Sequence, residues 1–285
     1  MSEADIVART LRPLTVDSVA QALLELGVKH GMTLLVHSSL SALGWVAGGA
    51  PAVVLGIERA VGANGTVMMP THSSGLSDPA GWKNPPVPEA WWQTIRDETP
   101  AFDALLTPTR AMGAIVDCFR TQPGTIRSSH PQVSFAARGP QAERLTSNHS
   151  LDFGLGESSP LGRLYDVDGH VLLLGVGHDN STSLHLAELR AEFAGFRTVK
   201  QGAPVLVAGE RRWVEFDEWD YEAASIFGVE EDHLFDVIGA DFERDSNGVR
   251  RGLVGLAEAR LMSQRALVDF GARWMELRAA RPTAS

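Results

Sequence analysis

Reactive side chains are densest in the segment Gly175-Val-Gly-His-Asp-Asn-Ser-Thr-Ser-Leu-His-Leu-Ala-Glu188. His178 and Asp179 precede a predicted helix, and His185 and Glu188 stand on it three residues apart, close to one face. An imidazole with a neighbouring carboxylate is a general base: the acid holds one tautomer and stabilises the cation formed on proton uptake. Such a pair can take a proton from an amine as that amine attacks a carbonyl. A metal site is the competing use of the same side chains, because His178, His185 and Glu188 would supply three ligands. The order is not His-Glu-x-x-His and no further ligand cluster accompanies it, so no metal is expected.

Other chemistries lack their residues. There is no Gly-x-Ser-x-Gly elbow for a serine nucleophile and no Gly-x-x-x-x-Gly-Lys phosphate loop. Gly175-x-Gly177 has no third glycine at dinucleotide-binding spacing. Cys118, the single cysteine, sits beside Phe119 in an apolar helical pattern and reads as a small buried residue. It excludes an intramolecular disulfide and a cysteine-based zinc site.

The elements that must position these residues can be read from periodicity. Met32–His37, Thr66–Pro70 and His170–Gly175 are short apolar runs of the buried-strand type. They end in the polar turns His37-Ser38-Ser39-Leu40, Thr71-His72-Ser73 and Gly177-His178-Asp179. Helices are predicted from Val16 to Leu26, with Gly27 as the stop, and over Pro51–Val61, Met112–Phe119, Pro140–Leu145 and Ser181–Phe193. A further strand is predicted over Val133–Ala137, a strand pair over Pro204–Val207 and Arg212–Phe216, and a last helix from about Leu256 to Arg278. The alternation predicts an α/β fold: a mostly parallel central sheet flanked by helices, with an elaborated C-terminal third. Ligands gather beyond the carboxyl ends of such strands, so the three polar turns should converge on one cleft. We read residues 1–285 as one domain, with 1–15 as an N-terminal arm and 75–110 as a long loop able to act as a lid.

The chain has 285 residues and a formal charge of −10, with no basic run. Nucleic-acid binding is therefore not expected, whereas cationic small molecules would be attracted. The start lacks a signal-peptide pattern and no apolar run is long enough for a membrane span, so a cytoplasmic protein is expected.

Several of these stretches, taken in order, resemble the aminoglycoside 3-N-acetyltransferase family. They are Leu34-Leu-Val-His-Ser-Ser-Leu-Ser-Ala-Leu-Gly44, Gly65-Thr-Val-Met-Met-Pro-Thr71, Ser129-His-Pro-Gln-Val-Ser-Phe-Ala-Ala137, Ser159-Pro160, Leu172–Asp179 and Leu184-His-Leu-Ala-Glu188. The likeness spans roughly residues 16 to 270 and implies transfer of acetyl from acetyl-coenzyme A to the 3-amine of a 2-deoxystreptamine ring. It implies that His37, Ser38, Ser39, Leu40, Thr71, Ser73, Ser129 and His130 line the coenzyme channel. It also implies that His178 is the catalytic base, with Glu188 or Asp179 as its acidic partner. Thr71, Thr182 or an N–H of the 37–39 turn would then donate to the oxygen that gains charge. Asp179, His185, Glu188, Asp217, Asp220 and Glu222 would face the polycationic acceptor, with Glu218, Glu230, Glu231 and Asp232 as further acidic candidates. Ser181, where many relatives have asparagine, and Ala104, where proline is frequent, depart from the family pattern near the acceptor pocket. The same residues would serve an N-acetyltransferase of another amine, or a non-catalytic aminoglycoside-binding protein. Monomer and homodimer both remain open.

Overall fold

Val19, Leu23 and Leu26 recur on one face of α2 (Val16–Leu26), which Thr15 caps by accepting from Ser18 N. The helix stops at Gly27, whose φ of +112° suits a residue without Cβ. It delivers the chain to β1 (Thr33–Ser38), where successive side chains divide between two cores. Leu34 and Val36 face one layer and Leu35 the other, as the two-residue period of a strand requires. β5 (His170–Leu174) repeats the pattern, with Leu172 and Leu174 on the first side and Val171 and Leu173 on the second. Burial on both faces is why these runs are continuously apolar.

The computed structural model describes residues 2–220, 226–230 and 233–280. β2 (Thr66–Pro70) and β5 both pair parallel with β1. They form the centre of a seven-stranded sheet of order β3-β4-β2-β1-β5-β9-β8. β3 (Ile126–Arg127), β4 (Phe135–Arg138), β8 (Val249–Val254) and β9 (Ala257–Ser263) join antiparallel, so the sheet is mixed with a parallel centre. On one face lie α2, α3 (Gly49–Val61) and α5 (Ala114–Arg120). The other face carries α6 (Ala142–Thr146), α7 (Pro160–Asp166), α8 (Ser183–Arg190), α9 (Leu234–Asp245) and α10 (Gln264–Ala279). β6 (Thr198–Val207) and β7 (Glu210–Trp219) form a separate hairpin.

Some expectations change. Part of the N-terminal arm is a helix, α1 (Glu3–Arg9), held by a Ser2–Asp5 capping box, and Leu14 bridges to Val46. The predicted last helix begins only at Gln264. Residues 257–263 instead alternate in burial and pair with β5, and the Ser263 hydroxyl caps α10. Glu258 and Arg260 favour helix locally, but sheet pairing overrides that preference. α9, to which no element is assigned above, carried a signal in the spacing of Leu234, Ile238 and Phe242. The 75–110 segment contains α4 (Glu89–Glu98), and Arg96 binds Asp78 through two hydrogen bonds. Phe102 N donates to Pro204 O, which ties the segment to the β6–β7 hairpin.

Several histidines are buried near the sheet. His130 accepts from Gln132 N and Val133 N at Nδ1 and donates from Nε2 to Leu151 O. His149 bonds Ser128 and Gly154 O. Burial lowers the pKa of His37, His72 and His149 to about 3 and that of His130 to about 4. In the unfolded chain each returns to about 6.5 and binds a proton that the folded state refuses. Unfolding free energy is therefore expected to fall as pH drops from about 6.5 towards 4, with proton uptake on unfolding. Urea denaturation across that range checks it, and a flat profile would contradict the assignment of these rings as neutral in the fold.

Candidate active site

The neighbours β2, β1 and β5 are parallel, so their carboxyl ends lie on one edge of the sheet, but only the turns after β1 and β5 contribute to the cavity there; the expected convergence does not extend to the buried 71–73 turn. The turn after β1 enters a cavity of about 660 Å³ lined by Ser38, Ser39, Leu40, Trp45, Met112 and Asn180, among others. Ser38 Oγ itself is buried and has no hydrogen-bond partner in the protein. Adjacent to this cavity along the chain, His37 Nε2 lies 3.4 Å from Thr182 Oγ1. That contact links the end of β1 to the residue immediately before α8.

α8 presents the histidine–carboxylate pair. His185 Nδ1 is 2.7 Å from Glu188 Oε2, the one-turn spacing legible in the sequence. The Glu188 side chain is 3% exposed and that of His185 25%, so the acid is buried and the ring reaches the surface of the site. The ring also stands edge-on to Phe235, with centroids 4.7 Å apart. Glu188 as acceptor places the proton on Nδ1, which makes Nε2 the basic nitrogen. Glu218 is 6% exposed, and burial raises its carboxyl above the ordinary range while His185 pulls it down. His72 sits close enough to feel the charge of His185, and its Nε2 is buried without a partner.

His178 is partnered otherwise than expected. Its Nε2 is 2.8 Å from Glu243 Oε1, on α9, and Glu188 is engaged by His185. Asp179 does not reach the ring either, since its N–H donates to Asp236 and its carboxylate accepts from Asn180. Both His178 and Glu243 are nearly enclosed, and His178 Nδ1 is buried without a partner. Burial, reinforced by Arg260, lowers the His178 pKa to about 4. A neutral ring with its N–H committed to Glu243 and its lone pair enclosed is poorly placed to deprotonate a bound amine.

The other expected residues divide in the same way. Ser38, Ser39 and Leu40 line the cavity. Thr71 is wholly buried, its hydroxyl 3.1 Å from Ser134 Oγ, and so does not face a ligand. Ser73 donates to Pro131 O. Arg127 clamps this turn by donating to Thr71 O, Ser73 Oγ and Ser134 Oγ, and reaches Thr107 O across the 75–110 segment. Ser129 is exposed, whereas His130 is sealed and fully bonded. Asp217 pairs with Lys200 at 2.9 Å on the outer face of β7. The neighbouring Glu218, on the opposite face by strand alternation, is buried, accepts from Trp219 N and lies close enough to feel the charge of His185. Asp220 donates its N–H to Arg197 O at the end of the hairpin. Glu222, Glu231 and Asp232 lie outside the described residues, and Glu230 is exposed. Glu243, which the sequence reading passed over, is buried beneath His178 because α9 crosses the turn.

Among the described residues no group of three His, Cys, Asp or Glu side chains converges as a metal would require. No helix among them is long and apolar enough to cross a membrane.

Residues 35–276 match the sequence profile of the aminoglycoside 3-N-acetyltransferase family. The chain is 45% identical to the SPβ prophage-derived aminoglycoside N(3')-acetyltransferase-like protein YokD of Bacillus subtilis, over 94% of this chain and 95% of that one. It is 37% identical to aminoglycoside N(3)-acetyltransferase VII of Streptomyces paromomycinus, over 99% and 98%. The crystal structure of YokD superposes with a TM-score of 0.92 at 44% identity, covering 98% of this chain and 99% of that chain. AAC-IIIb in its binary complex with CoASH gives 0.83 at 32% identity, covering 95% and 100%. AAC-VIa bound to sisomicin gives 0.84 at 32% identity, with the same coverage. With its parallel-centred sheet, its strand-end cavity and a match over most of its length, this chain belongs to the aminoglycoside 3-N-acetyltransferase family.

Proposed function

We propose that this protein transfers the acetyl group of acetyl-coenzyme A directly to the 3-amine of 2-deoxystreptamine aminoglycosides, with His185 as general base. The observation that carries the reading is the His185–Glu188 pair, a partly exposed imidazole bonded to a buried carboxylate on the helix that follows β5. Relatives with the same fold are described with CoASH and with sisomicin, which supports the two substrate classes.

Acetyl-coenzyme A supplies an activated thioester. The 38–40 turn would hold its arm in the cavity, and His37, the residue before that turn, contacts Thr182. His185 Nε2 takes the proton from the neutral acceptor amine as it attacks the thioester carbon, and Glu188 stabilises the imidazolium that results. The tetrahedral intermediate then collapses with cleavage of the C–S bond, and the imidazolium returns the proton to the departing coenzyme A thiolate. Thr182 donates to the carbonyl oxygen as it gains negative charge, a contribution of the kind worth ~2.7–4 kcal/mol. Glu188 places negative charge beside the base, complementary to a polycationic acceptor.

Thiol release from acetyl-coenzyme A, assayed against a panel of 2-deoxystreptamine antibiotics, is expected to depend on the acceptor. Acetylation should fall on the 3-amine, as mass spectrometry and NMR of the product can verify. No release with any of them would dismiss this acceptor class and leave another amine. His185→Gln and Glu188→Gln should each lower kcat, the first by about 10²–10⁴-fold, while coenzyme binding survives. A His185→Gln variant with wild-type kcat would refute the base. Raising salt should raise the acceptor KM, since charge attraction is screened. A salt-independent KM would remove the electrostatic part of the reading.

A further inference from the structure

His178 lies seven residues before the proposed base and is tied to a different element. The turn Gly177–Thr182 connects β5 to α8, and the start of α8 makes no side-chain cap hydrogen bond of its own. Ser181 and Ser183 hydroxyls are buried without partners, so they do not hold it either. The turn is fastened to α9 instead. Asp179 N donates to Asp236 Oδ1 at 3.0 Å, and His178 Nε2 meets Glu243 Oε1 at 2.8 Å. The ring lies flush on α9 at Gly239, where a Cβ would overlap it. From His178 the backbone bonds run on: Ser181 N to His178 O, Leu184 N to Ser181 O, and His185 N to Thr182 O.

The charges facing this imidazole come from four elements: Asp179 on its own turn, Asp236 and Glu243 on α9, Arg251 on β8 and Arg260 on β9. Glu243 is already neutralised by Arg260 at 2.9 Å and by Arg251. The His178 N–H is therefore not needed to balance the Glu243 charge. What it adds is a fixed-length link between the turn and α9.

We propose that His178 is a positioning residue for the acetyl transfer: its bond to Glu243 locks the 177–182 turn on α9 and so sets where Thr182 and His185 stand. This rests on the reading of His185 as base. The test is steady-state kinetics of the full chain with acetyl-coenzyme A and sisomicin across pH, on His178→Ala, His178→Gln, Gly239→Ala and His185→Gln. Thermal unfolding of each variant establishes that it is folded. His178→Ala is expected to lower kcat by up to about 10²-fold, the scale of an ångström-sized misplacement, with a smaller effect on KM. The acidic limb of its pH profile should stay at the wild-type position. His178→Gln, whose amide can still donate to Glu243, should recover most of the loss. Gly239→Ala should reproduce the His178→Ala effect with His178 and Glu243 chemically intact, and it carries the test if His178→Ala does not fold. Wild-type kcat in His178→Ala or in Gly239→Ala, or equal losses in His178→Ala and His178→Gln, would overturn the positioning role alone. Loss of the acidic limb in His178→Ala, with the limb and kcat kept in His185→Gln, would make His178 the base and overturn both readings. Wild-type kcat in His185→Gln with a positioning pattern in the His178 variants would overturn the base alone.

Discussion

The hydrogen bond between His185 Nδ1 and the buried Glu188 carboxylate is the interaction around which this site is arranged. A carboxylate sealed from water is costly unless a donor meets it, and the imidazole is that donor. The same bond selects the tautomer, leaving Nε2 basic, and supplies the negative charge that an imidazolium would need. Both residues lie on one short helix, so their mutual geometry is set by the helical repeat. What remains for the rest of the fold is to bring that helix to the strand ends and hold its first turn.

That task is shared by β1 and α9. The parallel pairing of β1 and β5 sets the ends of the two strands side by side, and His37 then reaches Thr182. α9 grips the turn from the other side through Asp236, Gly239 and Glu243. The two histidines of the segment thus acquire opposite characters from their surroundings. His185 meets a carboxylate and keeps an exposed edge, whereas His178 is enclosed, neutral and committed to Glu243. Arg127 performs a comparable duty at the neighbouring turn. Its buried guanidinium, whose pKa burial lowers to about 10, spends its donors on carbonyls and hydroxyls of the 71–73 turn and of Thr107.

Membership of the family rests on a match over most of the chain. Coenzyme A is anionic, and the chain carries a net charge of −10. An anion of that kind gains nothing from the overall charge of the chain and has to be held by local donors.

From the amino-acid sequence alone one could determine the parallel centre of the sheet, the three polar turns and the His185–Glu188 spacing. Each depends only on local period: apolar runs bounded by turn residues, or two side chains one helical turn apart. The order of family motifs was equally legible. The partner of His178 was not, because Glu243 lies 65 residues away and is delivered by a helix that crosses the turn. Nor could the sequence say that Thr71 faces Ser134 and Arg127, or that Glu218 is buried while Asp217 pairs with Lys200. Residues 257–263 escaped for a related reason: their local preference was helical, and pairing with β5 made them a strand. Burial, tautomer and proton affinity depend on what surrounds a side chain in three dimensions, so tertiary packing alone distinguished the two histidines.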